Sequence, residues 1–334
     1  MSRRRLSKQQ RARIARIQEQ RRRLADARAE SLLGNGDASP PVEGRVIVRH
    51  GRSLLVRGSE DEAVHCLFRQ NLGEIVCGDR VLWQPVDGGA GVVVALLERD
   101  TVLSRPDHAG HDKPIAANIS QLVVVLAPRP EPTGFLLDQY LIAAERIGVR
   151  GALCLNKADL LDDTERAAFR QRFAHYEDLG YPLIQVSAKT THGLEPLFER
   201  LRGHTSILVG QSGVGKSSLI NALLPNPELL EGALSEATGL GRHTTSAATL
   251  YALECGGEII DSPGVRSFRL GRLTRQELED GFPELRTLKG QCRFNDCTHR
   301  HEPGCAVRKA LEAGRIHPDR LASFHHLAAQ AADH

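Results

Sequence analysis

Apolar positions along the chain fall into three regions of different pattern. Between residues 44 and 104, short apolar runs at 45–48, 53–56, 64–68, 80–83 and 91–97 are separated by turn residues such as Gly58, Asn71-Leu72-Gly73 and Asp87-Gly88-Gly89. About five short strands in roughly sixty residues predict a small β-barrel of OB type. Farther on the runs become continuous, at 122–127, 151–155, 183–186, 206–209 and 258–261, and alternate with helical segments such as 217–224. Continuous apolar strands alternating with helices predict a parallel sheet covered on both faces. Beyond Gly271 the chain reads as helical and polar around three cysteines, a small unit expected to lack a core of its own. The expected divisions are a basic arm and linker over 1–42, a barrel over 43–104, an α/β domain over 105–270 and a C-terminal unit over 271–334.

Composition narrows the class. The 334 residues are 41% hydrophobic and 25% charged, ordinary for a globular protein. No apolar run reaches the ~18 residues of a membrane span, and the basic first residues lead into more arginine and glutamine, unlike a secretory leader. A cytoplasmic protein with no membrane partner is expected. The net charge of +3 is unevenly spread: residues 1–30 carry a net +8, which leaves −5 for the rest. Such an arm is either a solvated, partly helical tail or an electrostatic arm for nucleic acid. The glycines and prolines of 34–41 mark the linker behind it.

The strongest chemical signal is Gly210-Gln211-Ser212-Gly213-Val214-Gly215-Lys216-Ser217, followed by Ser218, between an apolar strand and a helix. It matches the P-loop pattern in full: backbone N–H groups surround phosphates, Lys216 supplies charge to the β/γ oxygens and Ser217 ligates Mg²⁺. Asn156-Lys157-Ala158-Asp159 follows the strand at 151–155 and selects guanine. The Asp159 carboxylate can accept from the guanine N1–H and 2-amino group, donors that adenine does not offer. Ser187-Ala188-Lys189 follows the strand at 183–186 and is the companion loop for the base. Asp261-Ser262-Pro263-Gly264 offers an aspartate to the Mg²⁺ shell through water and a glycine amide to the γ-phosphate. Within Gly241-Arg242-His243-Thr244-Thr245, either Thr244 or Thr245 can complete the Mg²⁺ coordination, the other starting the next strand.

An ordinary G domain runs P-loop, switch threonine, D-x-x-G, N-K-x-D, S-A-K. Here Asn156 and Ser187 precede Gly210, the switch threonine and Asp261, so the α/β domain is a circularly permuted GTPase domain. Permutation is tolerated where the original ends lie close together at the surface. Its consequence is that the switch after Gly264 runs directly into the C-terminal unit. That unit holds Cys292, Cys297, His299 and Cys305 within fourteen residues, the number and type of ligands for a closed tetrahedral zinc site, with His301 as a competing ligand. The other cysteines, 66, 77, 154 and 255, read as isolated apolar-strand cysteines.

Barrel, permuted G domain and Cys/His cluster, in this order, resemble the ribosome small-subunit-dependent GTPases of the RsgA (YjeQ) type over nearly the whole chain from about residue 45. The matching motifs are N-K-A-D, S-A-K, G-Q-S-G-V-G-K-S-S, G-R-H-T-T, D-S-P-G and C-x4-C-x-H-x5-C. The family spacing selects His299 over His301. The resemblance implies GTP hydrolysis to GDP and phosphate, stimulated by the small ribosomal subunit, late in maturation of that subunit.

Familiar GTPases orient the attacking water with a glutamine after D-x-x-G. Here that position is Val265, which cannot hydrogen-bond, so slow intrinsic turnover is expected. His243 is the polar residue placed to substitute, and the resemblance points to the same histidine. The barrel and the basic arm favour ribosomal RNA as partner, read through phosphate charge and shape because aromatics total only 4%. A monomer is expected. The rival reading is a GTP-regulated RNA-binding module or chaperone with incidental hydrolysis. A GTPase serving membranes or metal traffic is disfavoured by the lack of an amphipathic anchor or a long histidine tract.

Overall fold

The computed structural model describes residues 40–51, 53–59, 62–86, 89–107, 111–224, 248–262, 271 and 273–332. The basic arm, His243, Thr244, Thr245, Gly264 and Val265 lie outside the described residues. Two compact units divide the described residues, one running up to Arg99 and a second from Asp100 onward.

The first unit is a closed five-stranded barrel. Its strands are β1 (Val42–His50), β2 (Ser53–Arg57), β3 (Ala63–Phe68), β4 (Arg80–Val86) and β5 (Ala90–Leu96), in the order β1-β2-β3-β5-β4 with β4 returning to β1. β1 closes the barrel by serving two partners: Val42 to Arg45 face β4, and Arg45 to His50 face β2. The register shifts between Val46 and Val48, a bulge of the kind that bends a strand round a barrel corner. Trp83 fills the space left by two glycines. A Cβ on Gly44 would lie 2.8 Å from its Nε1, and one on Gly91 2.6 Å from its Cε3. Fully buried Asp79 accepts from Arg99 Nε (2.7 Å), Arg99 Nη2 (2.8 Å) and the Val76 N–H (2.7 Å), which locks the segment before β4.

The second unit opens with a hairpin of β6 (Val102–Pro106) and β7 (Asp112–Ala117), then a sheet whose strands β8 (Gln121–Leu126), β9 (Arg150–Leu155), β10 (Leu183–Gln185), β11 (Thr205–Val209) and β13 (Glu258–Asp261) are parallel. Their order is β10-β9-β8-β11-β13, and β12 (Ala248–Ala252) joins β13 antiparallel. Every residue of β8 is buried, as the sheet's central position requires. Helix α1 (Gly134–Ile147) packs on β8 and β9 and stops at Gly148, whose φ of 73° is a left-handed cap. α2 (Asp163–Asp178) begins with a capping box between Asp162 and Glu165. α3 (Leu194–Leu201) and α4 (Lys216–Leu223) contribute Leu197, Leu201, Leu219, Ile220 and Leu223 to a core with Val123, Val125 and Cys154.

The C-terminal helices α5 (Arg275–Asp280), α6 (Pro283–Arg286), α7 (Ala306–Glu312) and α8 (Pro318–Ala332) correct one expectation. They have an apolar core: Leu278, Phe282, Leu285, Val307, Ile316 and Phe324 are buried together, joined by Ile142 of α1. A Cβ on Gly281 would lie 2.6 Å from Ile142 Cγ2, so this corner sits hard against α1. Beneath it, Arg320 (1% exposed) donates to Glu284 Oε1 at 2.7 Å and to Asp138, which also accepts from the Tyr176 hydroxyl at 2.8 Å. Its guanidinium lies 4.4 Å from the Phe282 ring centroid. Removing the arginine would leave two buried carboxylates without their counter-ion, a loss of about 3–5 kcal/mol. The cysteine reading also needs correction: Cys255 lies half-buried in the turn between β12 and β13, and Cys77 lies outside the strands. Cys66 and Cys154 are buried in strands, and burial pushes both thiols up to about 12.

Candidate active site and metal centre

Parallel strands place their carboxyl ends, and the loops that follow them, along one edge of the sheet. The P-loop leaves β11, the Asn156 and Ser187 loops leave β9 and β10, and Asp261 ends β13. The structure thus brings together every described residue that the motifs single out for nucleotide.

Three P-loop glycines have positive φ: Gly210 (139°), Gly213 (84°) and Gly215 (89°). A Cβ on Gly210 would meet the Val125 carbonyl oxygen at 2.3 Å, so the loop passes too close to β8 for any other residue. Tyr140 of α1, whose phenol burial holds above its ordinary pKa, hydrogen-bonds the Gly210 backbone. Lys216 Nζ donates to the carbonyls of Gly210 and Gln211, both at 2.7 Å, and so lies folded over the loop it would share with a phosphate. Ser217 and Ser218 stand exposed on the first turn of α4, and Ser212 is exposed at the loop tip.

The base loops are braced against the P-loop by Asn156. Its Nδ2 donates to the carbonyls of Val214 (3.0 Å) and Gly215 (3.2 Å), and its Oδ1 accepts from the Ala188 N–H (3.1 Å). Lys157, at φ 62°, donates from Nζ to the Gly213 carbonyl at 2.6 Å. The Ala158 N–H is held by the Val186 carbonyl, which turns Asp159 outward. Asp159 is exposed and accepts from the Ser187 hydroxyl at 2.6 Å, retaining acceptor sites for a base. Lys189, two residues after Ser187, is exposed. The motif alone assigns Asn156 to nucleotide; its bonds make it a cross-brace between three loops.

The second site lies in the C-terminal helices. The ligand atoms of Cys292, Cys297, His299 and Cys305 all fall within 4.8 Å of one another. Cys292 Sγ lies 3.9 Å from Cys305 Sγ, and His299 Nδ1 lies 3.6 Å from Cys292 Sγ and 3.4 Å from Cys305 Sγ. Zn–S and Zn–N bonds of about 2.3 and 2.0 Å at tetrahedral angles give edges of about 3.8 and 3.5 Å, so the four residues fit one tetrahedral ion. His301 is exposed and takes no part in the cluster. His299 turns its other nitrogen, Nε2, to Glu279 Oε1 at 3.3 Å, and Arg275 holds that oxygen at 3.1 Å while also donating to the Cys297 carbonyl. A carboxylate behind a ligating imidazole orients the ring. Sequence reasoning missed Glu279 and Arg275, because no spacing rule links α5 to ligands 13 or more residues away.

Among the described residues no helix is long and apolar enough to cross a membrane. The RsgA GTPase family profile matches residues 96–271. A small ribosomal subunit biogenesis GTPase RsgA from Ectopseudomonas mendocina is 48% identical over 336 residues, covering 98% of each chain. The protein of that name from Azotobacter vinelandii is likewise 48% identical, at 98% of each chain. Among solved structures, YjeQ from Thermotoga maritima has a TM-score of 0.72 and 32% identity, covering 88% of this chain and 99% of its own. YloQ, a circularly permuted GTPase, has a TM-score of 0.69 and 27% identity, covering 88% and 96%. With the permuted strand order, the barrel and the Cys3His cluster all in place, the chain belongs to the RsgA GTPase family.

Proposed function

We propose that the protein is a cytoplasmic, monomeric GTPase that binds the small ribosomal subunit, contacts its RNA and acts in its late maturation, with turnover stimulated by the subunit. The observation that carries this reading is 48% identity, end to end, with relatives named small ribosomal subunit biogenesis GTPase, joined to a base loop and P-loop that share the Asn156 brace.

In this reading Asp159 receives the guanine donors, with Ser187, Ala188 and Lys189 closing the base site and Lys157 covering it. The P-loop amides from Gly210 to Ser218 surround the β-phosphate. Lys216 exchanges its two carbonyl contacts for the β/γ oxygens. Ser217, one of Thr244 and Thr245, and Asp261 through water are oxygen donors that would hold Mg²⁺, which would supply positive charge to the triphosphate. The Gly264 amide is assigned to the γ-phosphate. His243 orients the water that attacks the γ-phosphorus as the bond to the β–γ bridging oxygen breaks, giving GDP and phosphate. Cys292, Cys297, His299 and Cys305 suit a structural zinc, which would cross-link the 292–305 segment to itself at the N-cap of α7. Cosedimentation with purified small subunits tests the reading: binding with a non-hydrolysable GTP analogue, weaker with GDP, is expected, and absence of binding in both would overturn it.

A further inference from the structure

The sheet edge opposite the nucleotide site carries a cationic cluster that neither the nucleotide nor the metal site uses. Arg150 opens β9, Arg200 lies in the last turn of α3, and His204 immediately precedes β11. Among the described residues, neither Arg150 nor Arg200 has a carboxylate within ion-pair distance. Among the described residues only these two arginines act electrostatically on His204, which burial and their charge hold below its ordinary pKa, and burial, then the Arg150 charge, lowers that of Arg200. Arg200 Nε is a buried donor with no acceptor.

The hydrogen bonds around His204 carry the same surplus of donors. Ser120 Oγ accepts from the Thr205 N–H at 3.1 Å and contacts His204 Nδ1 at 3.0 Å, while Arg150 Nη1 contacts His204 Nε2 at 3.4 Å. If His204 Nδ1 carries the proton, it donates to Ser120 Oγ and the Ser120 hydroxyl hydrogen is left for an outside acceptor. If Nε2 carries it, two donors, Nε2–H and Nη1–H, point at one another. A protonated ring has both defects. Every protonation state leaves Ser120, Arg150 and His204 with more donors than acceptors, beside two arginines that have no carboxylate within ion-pair distance. Glu258, the carboxylate at this edge, accepts from the Thr205 hydroxyl at 2.9 Å.

We infer that this edge, formed by Arg150, Arg200, His204 and Ser120, is a contact for an RNA phosphate, separate from the nucleotide site. Donors from four segments converge at an exposed position, Arg150 and Ser120 being solvent-exposed. A phosphodiester already held by the rest of an RNA needs only such an open contact, and arginine forks match its geometry. The site lies about 20 Å from the nucleotide loops, since β9 separates Arg150 from Asn156 at about 3.3 Å per residue. It therefore adds a salt-sensitive grip without touching GTP. This inference rests on the ribonucleoprotein reading above and deepens it.

The test compares wild type, Arg150→Ala/Arg200→Ala and Arg150→Lys/Arg200→Lys by binding across a salt series, to small subunits and separately to deproteinised small-subunit RNA. For the alanine variant the expected result is about tenfold weaker binding to both at low salt and a log–log salt slope shallower by about 1–2, with the lysine variant intermediate. GTP affinity, intrinsic turnover and melting temperature should match wild type. An alanine variant with wild-type slope overturns the inference. Weakened binding to subunits but not to RNA would assign the edge to an acidic protein and overturn the RNA assignment. Wild type failing to bind subunits would count against the proposed function, while the RNA arm alone would still decide this edge.

Discussion

Asn156 and Gly215 are locked together: the asparagine Nδ2 donates to the Gly215 carbonyl at 3.2 Å, and a Cβ on Gly215 would lie 2.5 Å from that same nitrogen. The N-K-A-D loop and the P-loop are thus one mechanical piece although 59 residues separate the pair. Asn156→Ala should weaken GTP and GDP alike, by roughly 5- to 150-fold for the loss of about 1–3 kcal/mol of bracing. Equilibrium titration with both nucleotides checks this; an effect on one alone would contradict the bracing role.

Asp159→Asn should behave differently, because its exposed carboxylate is the group proposed to accept from the guanine donors. GTP affinity should fall by about 100-fold and xanthosine triphosphate should gain, since its 2-carbonyl accepts what the asparagine amide donates. Paired affinities for the two nucleotides decide the assignment, and unchanged GTP preference would refute it.

Metal analysis should find one zinc per chain. Cys297→Ser should lose it and lower the melting temperature by about 5–10 °C, at about 2–4 °C per kcal/mol for a unit of this size. Because Phe282, Phe324 and their neighbours form an apolar core, hydrogen exchange should rise mainly over 292–305, with GTP binding kept. A fully folded wild type without metal would remove the claim.

His175 stacks on His317 with ring centroids 3.8 Å apart and planes 7° from parallel. Burial first, then the neighbouring His317 and Arg320, lower its pKa from 6.5 to about 4. The unfolded chain therefore binds the proton that the folded chain refuses between those values, and stability should fall as pH drops from about 6.5 to about 4. His175→Gln should flatten that part of the stability profile in urea titrations at several pH values. An identical slope in the variant would place the pH dependence elsewhere.

Much of this was legible in the sequence because fully buried parallel strands read as continuous apolar runs: all six residues of β8 are buried. The P-loop and N-K-A-D matches fall where the sequence puts them, directly after the buried strands β11 and β9. The β6–β7 hairpin was not legible, since Arg105, Pro106, Asp112, Lys113 and Pro114 obscure any alternation. Nor was the C-terminal core, whose apolar positions are spread over helices as short as the four residues of α6, too few to show a period. The Arg320 ion cluster joins residues 182 apart, and no local pattern marks a charge destined for burial.

The most direct measurement is steady-state GTP hydrolysis with and without purified small ribosomal subunits, for wild type and His243→Ala. Subunits should raise wild-type turnover by at least about tenfold through ordering of the switch loops, and His243→Ala should lose most of that gain while keeping GTP affinity and subunit binding. A stimulated His243→Ala variant would move water orientation to the partner. Unstimulated wild-type turnover, with equal binding in GDP and a GTP analogue, would contradict the account and favour an RNA-binding module whose hydrolysis is incidental.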